Sequence, residues 1–236
     1  MKIAILGTGA YGMALASIFD YNKCNVIMWT NSNEEKEVLL KNKRSDKIDY
    51  VIPDDITIST DIKSVVEDAG VIVIAVPAKF VGNVCSQFKD YYKNNQVICI
   101  ASKGIEQDTC LFLYDVVRNN IKTNNIAVIS GGTFAVDIVK KVPIGLSLAT
   151  RSNSAKDIII RAMQNNYVKL RHTKDIIGTE ICGSIKNVIA LSAGMLEGMK
   201  ANESTKAMLI TEAMHDMEEI LDAFNCKTRT VLSISF

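Results

Sequence analysis

Three groups of residues in this sequence have types and spacing that could do chemistry. The first is the glycine-rich stretch GTGAYG at residues 7–12, and the others are two lysines in apolar surroundings, Lys103 and Lys186. A GxGxxG stretch that opens a helix presents backbone N–H groups to the pyrophosphate of a dinucleotide. A lysine kept away from water can hold an anion or transfer a proton. Together these groups favour a nucleotide-dependent enzyme.

The glycine-rich stretch directly follows a short apolar run at residues 3–6, and a helical pattern begins inside it. Gly7 permits a tight turn, Gly9 lets the backbone approach a pyrophosphate, and Gly12 lets the helix pack closely on the strand. The partial positive charge at the helix N-terminus adds attraction for the phosphates. This context predicts a dinucleotide site rather than a glycine-rich turn without a ligand.

The residues after the second predicted strand, 25–29, bear on the choice of cofactor. An acidic residue there binds the ribose hydroxyls of NAD, whereas an arginine nearby accommodates the 2′-phosphate of NADP. The sequence continues TNSNE at residues 30–34, with neither an acid at the strand tip nor an arginine. Asn31 can hydrogen-bond a hydroxyl but cannot neutralise a phosphate. NAD and NADP both stay open as cofactors, and the pattern favours NAD slightly.

The sequence positions of the two lysines bear on their function. Lys103 follows the predicted strand at residues 97–101, at the carboxyl end where open α/β sheets bind ligands. Lys186 is the only basic residue of the apolar segment 181–191, so we expect a buried helix there. Burial and a nearby cation would lower the pKa of Lys186 toward the range useful for acid–base catalysis. The alternatives are an ion pair of Lys186 with Glu180 and a solvated surface position for Lys103.

Short apolar runs alternate with helical segments and must position these residues. Runs that are apolar on both faces are typical of parallel strands covered by helices on each side. Repeated β-α-β units of this length predict an α/β fold with a doubly wound, mostly parallel Rossmann-type sheet. The predicted strands cover residues 3–6, 25–29, 71–76, 97–101, 126–130, 145–149 and 168–171.

The pattern changes near residue 175, beyond which only helical periodicity is found, over residues 179–199 and 204–225. We therefore expect a dinucleotide-binding domain over residues 1–175 and a partial, all-helical second domain over residues 176–236. A helical part of roughly 60 residues buries little core of its own. It must pack on the sheet domain, pair with a second chain as a homodimer, or be incomplete, and the sequence leaves these alternatives open.

The composition argues against several classes of protein. With 27 basic and 26 acidic residues the net charge is +1, which disfavours a nucleic-acid-binding protein. We expect no membrane insertion, because no uninterrupted apolar run approaches the roughly 20 residues of a membrane-spanning helix, and the N-terminus lacks a secretory signal pattern. The six cysteines are scattered, without a CxxC pair or ligand spacing. This pattern predicts reduced thiols, no metal site and a cytoplasmic location.

Several longer stretches of the sequence form a recognisable set. They are GTGAYG at 7–12, VP at 76–77, ASKGIE at 101–106, SGGTFA at 130–135, DIIGTEICGSIKNVIALSAGM at 175–195 and LIT at 209–211. With these stretches the sequence resembles the NAD(P)-dependent glycerol-3-phosphate dehydrogenases. The resemblance implies an eight-stranded N-terminal sheet domain and a helical substrate domain. It also implies interconversion of dihydroxyacetone phosphate and sn-glycerol 3-phosphate, which supplies a phospholipid precursor.

The same resemblance implies roles for single residues. Lys186 corresponds to the proton donor and acceptor of the family, and Lys103 to a lysine that contacts both substrate and cofactor. Gly131 and Thr133 correspond to further contacts with the small phosphate substrate. The implied cofactor contacts are Gly7, Gly9, Ala10, Tyr11, Gly12, Asn31, Lys103 and Ala135.

The sequence also departs from the family pattern. Gly132 stands where proline is usual, Ser204 where asparagine is usual, and Glu212 where an arginine follows LIT. The family's arginine motif for the substrate phosphate has no counterpart in these 236 residues. Charge-assisted hydrogen bonds contribute about 1.5–3 kcal/mol each, so we expect impaired substrate binding. A nucleotide-binding protein without efficient turnover is the alternative, and a reductase of another keto acid fits the ASKGIE and KNVIA stretches less well.

Overall fold

The computed structural model describes residues 1–232 of the chain. Residues 233–236, which the sequence analysis assigns to the second domain, lie outside the described residues. Within residues 1–232, an eight-stranded sheet precedes two long helices. The strands are β1 (Lys2–Leu6), β2 (Asn25–Trp29), β3 (Thr57–Ser59), β4 (Val71–Ile74), β5 (Val97–Ile100), β6 (Ile126–Ser130), β7 (Ile144–Ala149) and β8 (Val168–Thr173).

The strands lie in the order β3-β2-β1-β4-β5-β6-β7-β8, and every neighbouring pair is parallel except β6 and β7. The chain runs outward from β1 to β3 and then returns to β4 on the other side of β1. Ligands of open α/β sheets bind at the carboxyl ends of the strands beside such a reversal. The predicted doubly wound, mostly parallel fold is therefore confirmed, and its switch point lies directly after β1.

Helices cover both faces of the sheet, which explains the continuous apolar strands. In β1, Ile3 and Ile5 pack into the core on one face, while Ala4 and Leu6 pack into the core on the other. All four side chains are fully buried. The helices are α1 (Ala10–Tyr21), α2 (Asn33–Asn42), α3 (Ile62–Val66), α4 (Val81–Phe88), α5 (Leu113–Ile121), α6 (Ala135–Val139), α7 (Asn153–Met163), α8 (Ile176–Gly198) and α9 (Glu203–Ala223).

Strand β3 was not predicted from the sequence, and several predicted strand ends were wrong. In β3 only Ile58 is buried, between two polar residues, so the strand lacks the apolar run used to find the others. The pattern also extended β4 and β5 too far, because Ala75 and Ala101 are apolar but lie in the loops after those strands. At β8 the strand continues to Thr173 through polar residues at the edge of the sheet.

Helix α8 is buried only in its first part, which corrects the expectation of a buried helix. Its buried residues lie between Ile176 and Gly183 and pack on β6 and the neighbouring elements. Beyond them, Val188, Leu191 and Met195 are 64%, 61% and 58% exposed. Of the helices described, α8 alone has the length and apolar composition to cross a membrane, a test that core helices of globular proteins also pass.

Candidate active site

The loop between β1 and α1 has a backbone that only glycine fits well. Gly7 has φ +122°, and a Cβ there would lie 2.7 Å from the carbonyl oxygen of Ala75. A Cβ on Gly12 would collide with the carbonyl oxygen of Gly7, so the helix lies directly against the strand end. Gly9 differs, because a Cβ there would meet nothing within 4 Å. The space in front of Gly9, the N-cap of α1, is open to a phosphate.

A cavity of about 700 Å³ opens beside this loop, at the carboxyl ends of β1, β4, β5 and β6. Helix α8 closes one side of it through Lys186, Asn187 and Ile189. The residues implied for the site that line this cavity are Gly9, Ala10, Tyr11, Lys103, Thr133, Ala135 and Lys186. The structure thus brings together, in one place, residues that are up to 177 positions apart in the sequence.

A second cavity of about 380 Å³ adjoins the first and is lined by Gly7, Thr30 and Asn31. Both cavities are bordered by Gly9 and by residues 75–77. They form one elongated cleft along the switch point of the sheet, with the glycine-rich loop in its middle. This shape suits a dinucleotide whose pyrophosphate lies at the loop and whose two halves extend in opposite directions.

Helix α8 is held close to β6, and this contact places Lys186. A Cβ on Gly183 would lie 2.7 Å from Ser130 Oγ, so only a glycine lets the helix come this near. Lys186 stands one turn further along, and its ammonium donates a hydrogen bond to the carbonyl oxygen of Gly131. The contribution of Gly131 to the site is therefore a backbone carbonyl beneath the lysine.

The loop after β5 places Lys103 next to Lys186. Ser102 Oγ donates a hydrogen bond of 2.5 Å to the carbonyl oxygen of Val76, which ties this loop to the one after β4. The Lys103 Nζ lies 5.0 Å from the centre of the Tyr11 ring, within the range of a cation–π contact. Lys103 is therefore fixed between the glycine-rich loop and α8.

The two lysines are neighbours, and their contact lowers the pKa of Lys186 but not that of Lys103. The pKa of Lys186 falls to about 7, first because burial penalises its charge and then because the Lys103 ammonium is adjacent. Burial also lowers the pKa of Lys103, while its hydrogen bond with Lys186 acts in the opposite direction. At neutral pH Lys186 therefore exists in both its charged and its neutral form.

The ion pair between Lys186 and Glu180, considered as an alternative, is absent from the described part of the chain. Glu180 Oε1 instead accepts a hydrogen bond of 3.0 Å from the backbone N–H of Tyr114, and Oε2 has no partner. Burial raises the pKa of Glu180 to about 8, so it is mostly neutral near pH 7. No acidic residue is found among the described residues that line the larger cavity.

Two hydroxyls near the cavity fit the presence of a polar ligand. The Tyr11 hydroxyl and Thr133 Oγ1 are buried and adjacent, and neither forms a hydrogen bond of normal geometry with the described residues. Buried polar groups of this kind need a partner, which a cofactor or substrate can supply. Together with the open space at Gly9, they show that the residues present fit a bound dinucleotide and a small polar molecule beside it.

A carboxylate at the other end of the cleft was not predicted from the sequence. Glu35 lies in the first turn of α2, where Ser32 Oγ accepts a hydrogen bond of 3.1 Å from the Glu35 backbone N–H. The spacing of Ser32 and Glu35 is the start signal of a helix, S-x-x-E, and could have revealed α2. The Glu35 side chain does not return to Ser32 but turns toward the residues after β2, a contact that no local pattern predicts.

Comparison with known proteins identifies the family. Residues 2–156 match the profile of the NAD-dependent glycerol-3-phosphate dehydrogenase N-terminus, and residues 175–236 match that of the C-terminus. The chain belongs to the NAD-dependent glycerol-3-phosphate dehydrogenase family. The resemblance recognised in the sequence is therefore confirmed.

Relatives of this dehydrogenase family align along most of the chain. Glycerol-3-phosphate dehydrogenase [NAD(P)+] of Wolbachia sp. subsp. Brugia malayi is 32% identical over 222 residues, 93% of this chain and 67% of the relative. The enzyme of that name from Agathobacter rectalis is 30% identical over 236 residues, 99% of this chain and 70% of the relative. The chain thus spans about two thirds of the length of these relatives.

A crystal structure of glycerol-3-phosphate dehydrogenase from Coxiella burnetii superimposes on this chain with a TM-score of 0.94 at 26% sequence identity. The superposition covers 99% of this chain and 72% of the Coxiella chain. The eight-stranded sheet and the helices that follow it are therefore the architecture of the dehydrogenase family.

Proposed function

We propose that this dehydrogenase interconverts dihydroxyacetone phosphate and sn-glycerol 3-phosphate with NAD or NADP, and that Lys186 is its proton donor and acceptor. One observation carries the proposal: a half-buried lysine with a pKa of about 7 lies beside a second lysine, Lys103, in the cavity that continues the dinucleotide cleft. A general acid is most effective when its pKa lies near the working pH, because both of its forms are then populated.

Lys186 is assigned the proton transfer of this reaction. The reduced cofactor, when bound, supplies the hydride that reaches the ketone carbon. Lys186 in its ammonium form gives a proton to the ketone oxygen, and in the reverse direction its neutral amine takes the proton of the alcohol. The carbonyl of Gly131 accepts a hydrogen bond from Lys186 and keeps its Nζ pointed into the cavity.

Substrate binding is assigned to Lys103, Gly131 and Thr133. Lys103 is a cation without a carboxylate partner in the described residues, so it can attract the phosphate-bearing substrate. The orphaned hydroxyl of Thr133 supplies a donor or an acceptor beside it. The cofactor is assigned to the glycine-rich loop and to Ala10, Tyr11, Asn31, Lys103 and Ala135, which border the cleft.

The organisation of the chain belongs to the same proposal. We assign residues 1–175 to cofactor binding and residues 176–236 to the substrate domain, because α8 begins at Ile176. The exposed apolar side chains of α8 favour a homodimer or another covering partner over an isolated monomer. Six free cysteines and a net charge of +1 support a cytoplasmic enzyme without a nucleic-acid or membrane partner.

The direct test is the oxidation of NADH and NADPH by this chain in the presence of dihydroxyacetone phosphate, beside a Lys186→Ala variant. We expect substrate-dependent oxidation that disappears in the variant, while the variant still binds cofactor. Cofactor binding without any substrate-dependent oxidation by the unmodified chain would contradict the proposal and identify a nucleotide-binding protein without turnover. Oxidation that persists in Lys186→Ala would remove Lys186 from the mechanism.

A further inference from the structure

A compact polar network lies at the end of the cleft furthest from Lys186. Glu35 Oε2 accepts a hydrogen bond of 2.8 Å from the Thr8 hydroxyl and another from the Thr30 hydroxyl. Its second oxygen, Oε1, forms an ion pair with Lys47. Thr8 belongs to the glycine-rich loop and Thr30 follows β2, so Glu35 joins the phosphate-binding loop to the tip of the second strand.

The Glu35 carboxylate is ionised and partly shielded from water. Its side chain is 25% exposed. Burial by itself would raise the pKa of Glu35, but hydrogen bonds from Lys47, Thr30 and Thr8 outweigh burial and lower it. A carboxylate offers about four lone-pair positions, and the network occupies three. One acceptor position therefore remains for a ligand in the adjoining cavity of about 380 Å³, which Glu35 lines together with Asn31.

The position of this carboxylate in the fold indicates its ligand. In dinucleotide-binding sheets the adenosine ribose lies at the end of the second strand, where an acidic residue binds the hydroxyls of NAD. In this chain the strand end carries Thr30 and Asn31, and the carboxylate reaches the same place from the first turn of α2. The cavity that contains Glu35 continues from Gly7 and Gly9, as the adenosine half of a bound dinucleotide must.

We propose that Glu35 is the residue that determines cofactor specificity, by binding the adenosine ribose hydroxyls of NAD(H) and repelling the 2′-phosphate of NADP(H). This inference rests on the proposed function, because it assumes that the cleft binds a dinucleotide. Like charges placed together at an interface are strongly unfavourable. Lys47, which also lines this cavity, is ion-paired with Glu35, so the carboxylate already offsets the charge that Lys47 could offer a 2′-phosphate.

Binding of NADH and NADPH without substrate tests the inference separately from turnover. Trp29 is the only tryptophan of the chain and lines the same cavity, so quenching of its fluorescence reports occupancy. We expect the unmodified chain to bind NADH at least about 10-fold more tightly than NADPH. In Glu35→Gln, which keeps an acceptor for the two threonines, this ratio falls by about 10-fold, mainly through tighter NADPH binding.

Two further variants keep the test decisive. Glu35→Asp retains the charge and is expected to retain the preference for NADH. Glu37→Gln removes an exposed carboxylate from the same helix, outside the cavity, and is expected to leave both affinities unchanged. An equal loss of affinity for both cofactors in Glu35→Gln would show a purely structural role and overturn the inference.

Other outcomes separate the inference from the function on which it rests. A preference of the unmodified chain for NADPH would overturn the role of Glu35 and leave the dehydrogenase function intact. Absence of binding by either cofactor would overturn both. Binding of NADH with the expected preference but no turnover would contradict only the proposed function.

Discussion

The two ends of the cleft hold their charges in opposite ways. At the ribose end, the Glu35 carboxylate has an ion pair with Lys47 and hydrogen bonds from two threonines. At the other end, Lys103 and Lys186 are adjacent, and the described residues give neither of them a carboxylate partner. A paired charge keeps its protonation state and selects ligands, whereas an unpaired, half-buried amine can exchange a proton. We propose that the Glu35 end of the cleft recognises the cofactor and that the lysine end transfers the proton.

The largest effect is expected from Lys186→Arg, which keeps a positive charge but removes the ability to lose a proton. The arginine pKa stays above about 12, so the side chain cannot alternate between acid and base. We expect kcat for dihydroxyacetone phosphate reduction to fall by about 100-fold or more, while NADH affinity from Trp29 fluorescence stays within about 2-fold. Activity close to that of the unmodified enzyme would show that a fixed charge is sufficient at this end of the cleft.

Glu180 provides a second test of how charge is held at the lysine end, because it is the buried carboxyl closest in sequence to Lys186 and is not paired with it. Its pKa is raised from 4.5 to about 8 by burial. The stability that its protonated form contributes is fully present below the unfolded-state pKa and is lost as the pH rises through about 8. The full shift corresponds to an upper limit of about 5 kcal/mol.

We therefore expect the melting temperature of Glu180→Gln to rise relative to that of the unmodified chain as the pH increases from 6 to 9. The two proteins are compared at each pH because Lys186, whose pKa is lowered to about 7, adds a pH dependence of opposite sign to both. Thermal unfolding of both proteins between pH 6 and pH 9 measures this difference. An unchanged pH dependence in Glu180→Gln would mean that this carboxyl is not the group that titrates. It would then no longer explain why the lysine end lacks a counter-charge.

Between the two ends, Gly9 offers a smaller and purely local test. A Cβ at Gly9 meets nothing within 4 Å in the protein, so Gly9→Ala is expected to fold with an unchanged melting temperature. The added methyl group projects into the space assigned to the pyrophosphate, and we expect the affinities for NADH and NADPH to fall together by about 10-fold. Unchanged affinities would mean that the pyrophosphate binds elsewhere. A loss of affinity for only one of the two cofactors would mean that the glycine-rich loop, and not Glu35, determines cofactor specificity.

The sequence predicts the sheet and the lysines well because their signals are local. Strands buried on both faces read as continuous apolar runs, and the carboxyl ends of parallel strands meet at one edge, which brings Lys103 close to the glycine-rich loop. The network of Glu35 depends on contacts with Thr8, 27 residues away, and Lys47, 12 residues away, which no periodicity encodes. Strand β3 was not predicted because its single buried residue does not form the continuous apolar run that identifies the other strands.

The exposure of α8 shows a different limit of sequence reasoning. Its apolar composition predicted burial, yet the structure buries only its beginning, from Ile176 to Gly183. Apolar composition indicates that a surface needs covering but does not tell which part of the chain covers it. The same limit applies to Lys186, which is half-buried in a cavity rather than enclosed in a core.

The pH dependence of kcat for dihydroxyacetone phosphate reduction, measured for the unmodified enzyme and for Lys103→Met, tests the central claim most directly. We propose that reduction needs protonated Lys186, so we expect kcat of the unmodified enzyme to fall as the pH rises through about 7. Lys103→Met removes the adjacent cation but not the burial, so kcat decreases overall and its midpoint moves to higher pH by about one unit. A midpoint that stays in place or moves to lower pH would contradict the coupling of the two lysines.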